Sequence, residues 1–332
     1  MRADGAVPSF MCAAVIDAFG GPERLVLRDL PVPPVGPNDV LIRVDTAGIG
    51  PWDLKVRRGD VIEGRFPMVL GFEGSGTVAA LGDGVRGFEL GDAVYGYAYS
   101  TLGGFYAEYA ALDAEQVAPL PAALDFREGG ALPVAGLTAL AGIDDVLAVR
   151  PGMSILVFGA TGGTGVFAVQ FAKRRGARVV ATTNGGEGRE LLRRLGADEV
   201  ADTQRDDVVA LAHKLAPHGL DGVFALAGGS ALERVFGALR AGATIAHPNG
   251  VAAFPATLPD GVTARGFDGR PNPTAFARLN ALLDEAPIEI PISAEYSLDD
   301  AAEAHRRLER GHVFGKIVLV VDATEDVEEK VA

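Results

Sequence analysis

Thiols are almost absent from this chain: Cys12 is the one cysteine among 332 residues. A single thiol cannot close an intramolecular disulfide, and every metal site built on paired cysteines is excluded with it. Lysine is scarce too. Only Lys55, Lys173, Lys214, Lys316 and Lys330 stand among 30 basic residues, against 44 carboxylates, for a net charge of −14. That balance repels nucleic acid and anionic membrane surfaces, so neither is expected as a partner. No apolar run is long enough to span a bilayer, and Met1–Pro8 lacks the apolar core of a secretory signal. The expectation is a cytoplasmic protein. With 48 % hydrophobic and 22 % charged residues the composition is that of a folded chain, and at about 150 residues per domain it suggests two domains.

Two characters follow one another along the chain. Up to about residue 126 short apolar or alternating runs (Met11–Asp17, Val40–Thr46, Gly74–Val78, Asp92–Tyr97, Tyr106–Leu112) are separated by glycine and proline, which predicts strands. The stretch Leu30-Pro-Val-Pro-Pro-Val-Gly-Pro cannot sit in a central strand, because proline offers no ladder donor. Beyond 126, strand-like runs alternate with helical ones: Ser154–Phe158, Val166–Arg175, Arg178–Thr182, Glu187–Leu195, Glu199–Ala201, Val208–Leu215, Gly222–Leu226, Ala231–Leu239 and Ala243–Ala246. This alternation predicts a parallel sheet with helices on both faces. In Glu187–Leu195, Leu191, Leu192 and Leu195 share a face and Gly196 stops the helix. After 266 come a helix at Thr274–Leu283, a strand at Ile288–Ile292, a helix at Leu298–Arg310 and a strand at Lys316–Val321. The acidic tail Asp322–Ala332 is expected to fray.

The sharpest motif is Gly159-Ala160-Thr161-Gly162-Gly163-Thr164-Gly165, which leaves an apolar strand and opens a helix. Glycines allow the tight turn and let backbone approach a pyrophosphate, which the helix N-terminus then attracts. No Gly-Lys-Ser/Thr closes the loop, so a P-loop is excluded. The next strand ends at Thr182-Thr183-Asn184 and not at the Asp or Glu that accepts from an NAD ribose. Hydroxyls, an amide and nearby Arg189 suit a 2′-phosphate. NADPH is therefore expected over NADH, with Glu187 as an opposing charge.

Further segments carry a resemblance: Gly71-Phe-Glu-Gly-Ser-Gly-Thr-Val78, Phe88-Glu-Leu-Gly-Asp-Ala-Val-Tyr95, Leu132-Pro-Val-Ala-Gly-Leu-Thr-Ala139, Leu195-Gly-Ala-Asp198, Ala304-His305 and Gly315-Lys-Ile-Val-Leu319. In this order and spacing, the chain resembles the medium-chain dehydrogenase/reductase superfamily, in its zinc-free quinone oxidoreductase (ζ-crystallin-like) branch. The resemblance covers about residues 11 to 321. It implies an α/β fold in which a doubly wound Rossmann sheet is inserted in a GroES-like β-rich catalytic domain. Residues 1–126 and 266–332 would form the catalytic domain, and 127–265 the dinucleotide domain. It also implies a homodimer. Zinc-dependent relatives place ligands where this chain has Gly50, Phe72 and, at or near it, Val134, and their structural cysteine cluster is missing, so no zinc is expected. The five histidines (213, 218, 247, 305 and 312) are not at ligand spacing and read as surface or core residues.

Without zinc to stabilise an alkoxide, hydride is better delivered to an enone or quinone, whose charge spreads over an enolate. By resemblance, Asp53 and Lys55 match the substrate-side segment Gly50-Pro-Trp-Asp-Leu-Lys55, where Gly50 replaces an amide. Lys55 either donates to an enolate oxygen or pairs with Asp53. Tyr99, with Tyr97 and Tyr106, borders the substrate-lining loop, and Trp52 is a candidate pocket wall. Thr138, Ala227-Gly228 and Asn249-Gly250 match segments around the nicotinamide. Thr203 replaces a tyrosine found at the adenosine end of NADPH-binding relatives. Lys316 either reaches the cofactor or caps the last strand. A non-catalytic NADPH-binding structural or sensor protein, and a trans-acting polyketide-type enoyl reductase, stay open. Tyrosine–lysine hydride chemistry fails, because none of the six tyrosines has a lysine four residues on. Ser75, Ser154 and Ser230 lack the Gly-x-Ser-x-Gly of a hydrolase.

Overall fold

The computed structural model describes residues 7–61, 63–99 and 104–321; the tail expected to fray lies outside them. The first part is β-rich, with β1 (Phe10–Ile16), β2 (Leu25–Pro31), β3 (Asp39–Ile49), β4 (Met68–Val69), β5 (Glu73–Leu81), β6 (Ala93–Tyr97), β7 (Tyr109–Asp113) and β8 (Val117–Pro119). Helix α1 (Pro51–Arg58) interrupts it, and α2 (Phe126–Ala131) and α3 (Pro133–Leu140) close it. Proline at the first helical position of α1 and of α3 loses no intrahelical bond there. Pro31 ends β2, an edge strand of the three-stranded sheet β2-β1-β4, where its missing N–H disrupts nothing.

The alternating region folds as read. Strands β9 (Ser154–Phe158), β10 (Arg178–Thr183), β11 (Glu199–Asp202), β12 (Leu220–Ala225), β13 (Leu239–Pro248) and β14 (Thr263–Phe267) alternate with helices α4 (Gly163–Arg174), α5 (Gly188–Arg194), α6 (Val208–Leu215) and α7 (Ser230–Val235). Their sheet runs β11-β10-β9-β12-β13-β14 and all its pairings are parallel. Chain order reverses between β9 and β12, the switch point at which doubly wound sheets open a ligand crevice. Leu191, Leu192 and Leu195 are buried and Gly196 takes φ +100°, as the pattern predicted.

The chain then returns. Helix α8 (Pro273–Glu285), strand β15 (Ile292–Ser297), helix α9 (Ala301–Glu309) and strand β16 (Lys316–Val320) follow. The strand expected at Ile288–Ile292 begins only at Ile292, because Pro287 and Pro291 cannot donate to a ladder. β16 pairs antiparallel with β3, so residues 316–320 complete a seven-stranded sheet begun by residues 39–49, in the order β15-β16-β3-β5-β6-β8 with β7 also paired to β3. The molecule is thus a GroES-like sheet unit with a Rossmann-type parallel sheet between its strands. Among the described residues no helix is long and apolar enough to cross a membrane.

Candidate active site

The glycine-rich turn lies at the switch point. Gly159 adopts φ +82° and packs on Leu226 and Ala227, where a Cβ on it would lie 3.4 and 3.8 Å from their Cβ atoms. A Cβ on Gly165 would sit 2.6 Å from the Ala160 backbone, so this glycine lets α4 close on the turn. Gly162 faces open space, its nearest neighbour being the Gly159 carbonyl oxygen at 3.7 Å. Amides of the first turn of α4, from Gly163, Thr164 and Gly165, have no intrahelical acceptor. This cradle, open on one side and close-packed on the other, fits a pyrophosphate. The returning segment seats against it: the Gly315 N–H donates to the Thr161 carbonyl at 2.8 Å.

At the end of β10, Thr183 is buried, and its hydroxyl donates to the Gly185 carbonyl at 3.0 Å. Gly188 packs so closely that a Cβ would meet the Thr183 hydroxyl oxygen. Arg189 points to the Val200 carbonyl at 2.9 Å and forms an ion pair with Asp206. Its charge is therefore shared with a carboxylate. Asn249 donates to Asp268 at 3.1 Å, and its N–H bonds the Phe267 carbonyl at 2.8 Å. Beside them Gly269 presses on Thr138, where a Cβ would approach the Thr138 Cα to 2.5 Å.

Two further contacts tie segments distant in sequence. Lys55 donates to the Gly250 carbonyl at 2.5 Å and lies 5.8 Å from the Trp52 ring centre. Tyr99, 42 % exposed, carries the Arg270 guanidinium 5.3 Å above its ring and packs edge-on to Tyr97. The Asp53–Lys55 pair is not formed. Asp53 is only 2 % exposed and accepts from the Gly50 N–H at 2.8 Å, capping α1 from within. Burial drives its carboxyl up to about 7, the Gly50 amide pulls it down, the Glu73 charge pushes it up and Lys316 pulls it down.

Lys316 neither reaches out to a ligand nor caps its strand. It is buried in an ion pair with Glu73 and also donates to the Ile49 carbonyl at 3.2 Å. The other Glu73 oxygen accepts from the Val134 N–H at 2.8 Å. Sequence reading missed Glu73, although a signal was there: β5 and β16 each open with their one charged residue, Glu73 and Lys316. His213, His218 and His312 are exposed, His247 is half-buried and His305 is buried. Among the described residues no three His, Cys, Asp or Glu side chains are grouped to hold a metal ion.

Comparison with known proteins places this geometry. Residues 36–122 match the alcohol dehydrogenase GroES-like domain, and residues 195–319 match the zinc-binding dehydrogenase model. The quinone oxidoreductase of Rattus norvegicus is 29 % identical over 325 residues, covering 94 % of this chain and 98 % of the relative. A crystal structure of an NAD-dependent alcohol dehydrogenase superposes with a TM-score of 0.87 at 34 % identity, over 94 % of this chain and 100 % of its own. The chain belongs to the medium-chain dehydrogenase/reductase superfamily, in its quinone oxidoreductase branch. It is an NAD(P)H-dependent oxidoreductase of that family. A mycobacterial member solved with NADPH superposes with a TM-score of 0.84 at 27 % identity, covering 94 % of this chain and 100 % of its own.

Proposed function

We propose that this enzyme uses NADPH, without zinc, to add hydride to a quinone or an α,β-unsaturated carbonyl. The observation that carries the reading is the surroundings of Glu73. Gly50, Phe72 and Val134 offer no metal-ligating side chain, and the carboxylate there is committed to Lys316 and the Val134 N–H. A site without a Lewis acid suits an acceptor whose developing charge is spread by conjugation.

The nicotinamide supplies the hydride when bound. In this reading Gly159, Ala160, Thr161, Gly162, Gly163, Thr164 and Gly165 hold the pyrophosphate, and Thr183, Asn184 and Arg189 meet the adenosine phosphate. Thr138, Ala227, Asn249 and Gly250 border the ring. Support for NADPH comes from the strand end at Thr183-Asn184, where no carboxylate stands to accept from a ribose hydroxyl, and from the NADPH-bound relative. The Lys55 ammonium spends one N–H on Gly250 and has two left for an acceptor oxygen. Tyr99 offers a flat ring at the rim, and Asp53 acts from beneath through α1. Residues 127–265 serve as the dinucleotide unit, framed by 1–126 and 266–332. A homodimer in the cytoplasm belongs to the same proposal.

Stopped-flow absorbance tests it. NADPH should be consumed on mixing with simple quinones or enones, at a rate unchanged by prior chelation. Tight NADPH binding with no acceptor reduced would favour the sensor reading, and turnover that only added zinc restores would overturn zinc independence.

A further inference from the structure

Behind α1 lies a buried polar chain that the hydride chemistry does not use. Arg57, Tyr106 and His305 are each fully buried. Arg57 donates to the Gly20 carbonyl at 3.1 Å, pairs with Glu309 and sets an N–H 3.1 Å from His305 Nδ1. The other ring nitrogen, Nε2, lies 3.0 Å from the Tyr106 hydroxyl.

Donor and acceptor chemistry gives this chain a direction. A guanidinium only donates, so His305 Nδ1 must accept. Burial and the Arg57 charge hold the imidazole pKa down at about 3, so the ring is neutral and its proton sits on Nε2. That N–H donates to the Tyr106 oxygen, which leaves the phenolic proton to find another acceptor. Burial raises the Tyr106 pKa well above its ordinary value, and the next cause is the Asp53 carboxylate beside it. Asp53 Oδ1 is buried without a hydrogen-bond partner among the described residues.

We infer that Tyr106, oriented by His305 and Arg57, is a positioning residue whose hydroxyl donates to Asp53 and holds the first turn of α1. Asp53 and Arg57 are one turn apart on the inward face of α1, so the helix is gripped at both ends. The outward residues Trp52 and Lys55 are thereby aimed at Gly250. The chain orients and does not conduct protons, since Arg57 does not release one. Its importance for turnover rests on the proposed role of Lys55; the hydrogen-bond assignment does not.

Infrared titration of the whole protein reads the assignment directly. The groups facing Asp53 are Glu73, Lys316 and Tyr106, with the Gly50 and Gly71 amides. A carboxyl band that titrates near pH 7 and is missing in Asp53→Asn belongs to Asp53. In Tyr106→Phe its midpoint should rise by about one to two pH units, because a donor to the charged form is lost. Tyr95→Phe, which removes a hydroxyl bonded to Asn280 at 2.6 Å, should leave the midpoint in place. A second measurement uses the unsubstituted protein: nitrogen chemical shifts should show His305 protonated on Nε2. An unmoved midpoint in folded Tyr106→Phe, or a His305 protonated on Nδ1, overturns the inference. Neither readout depends on an electron acceptor, so failure to reduce quinones would leave both intact.

Discussion

Glu73 and Lys316 show how much one buried pair decides. Their side chains are 2 % and 5 % exposed, and each has further partners, the Val134 N–H for one and the Ile49 carbonyl for the other. Burial raises the Glu73 pKa, and the Lys316 charge beside it acts in the opposite direction. Removing one partner strands the other charge in a dry environment, which costs far more than the pair contributes relative to an apolar replacement. Lys316→Met alone should lower stability by about 3–5 kcal/mol. Lys316→Met combined with Glu73→Leu should recover much of that loss. Denaturant unfolding of the three proteins checks it, and a double variant as unstable as the single one would contradict the argument.

At the scale of the element, the strand–turn–helix at β9 and α4 assigns different work to glycines that look alike in sequence. Gly to Ala in an exposed helix interior stabilises by about 1 kcal/mol. At Gly165 the sign should reverse, because the new methyl would meet the Ala160 backbone at 2.6 Å and force α4 off the turn. Gly165→Ala is expected to lose about 1–3 kcal/mol. Gly162 has φ −77° and no neighbour nearer than 3.7 Å, so alanine fits the fold there. Gly162→Ala should melt near the unsubstituted protein and yet bind dinucleotide more weakly, its methyl standing in the open side of the cradle. Thermal melting with fluorescence titration of NADPH separates the two effects. The motif was legible because these glycine demands are local. Which glycine serves packing and which serves the ligand was not, since that depends on what each Cβ would meet.

Across the whole molecule, Lys55 to Gly250 is a contact between the two units in which side chain meets backbone over 195 residues of sequence. A hydrogen bond of this kind is worth about 0.5–1.5 kcal/mol. Lys55→Met should speed amide hydrogen exchange in 249–251 by roughly two- to ten-fold without changing the global unfolding midpoint. Unchanged exchange there would mean the segment is held from its own side, by Asn249 and Asp268.

The alternation of strands and helices from Ser154 onward, the turn between β9 and α4, and the stop of α5 at Gly196 follow from the sequence by itself. Periodicity, glycine conformation and capping act within a few residues, so they can be read along a line. The partners of Lys55, Arg189 and Lys316, and the grip of Tyr106, His305 and Arg57 on α1, were decided only by tertiary structure. Lys316 meets Glu73 across 243 residues and Arg57 meets His305 across 248. Such meetings depend on the register in which β16 returns to β3, and on burial that makes each polar group seek the partners within reach.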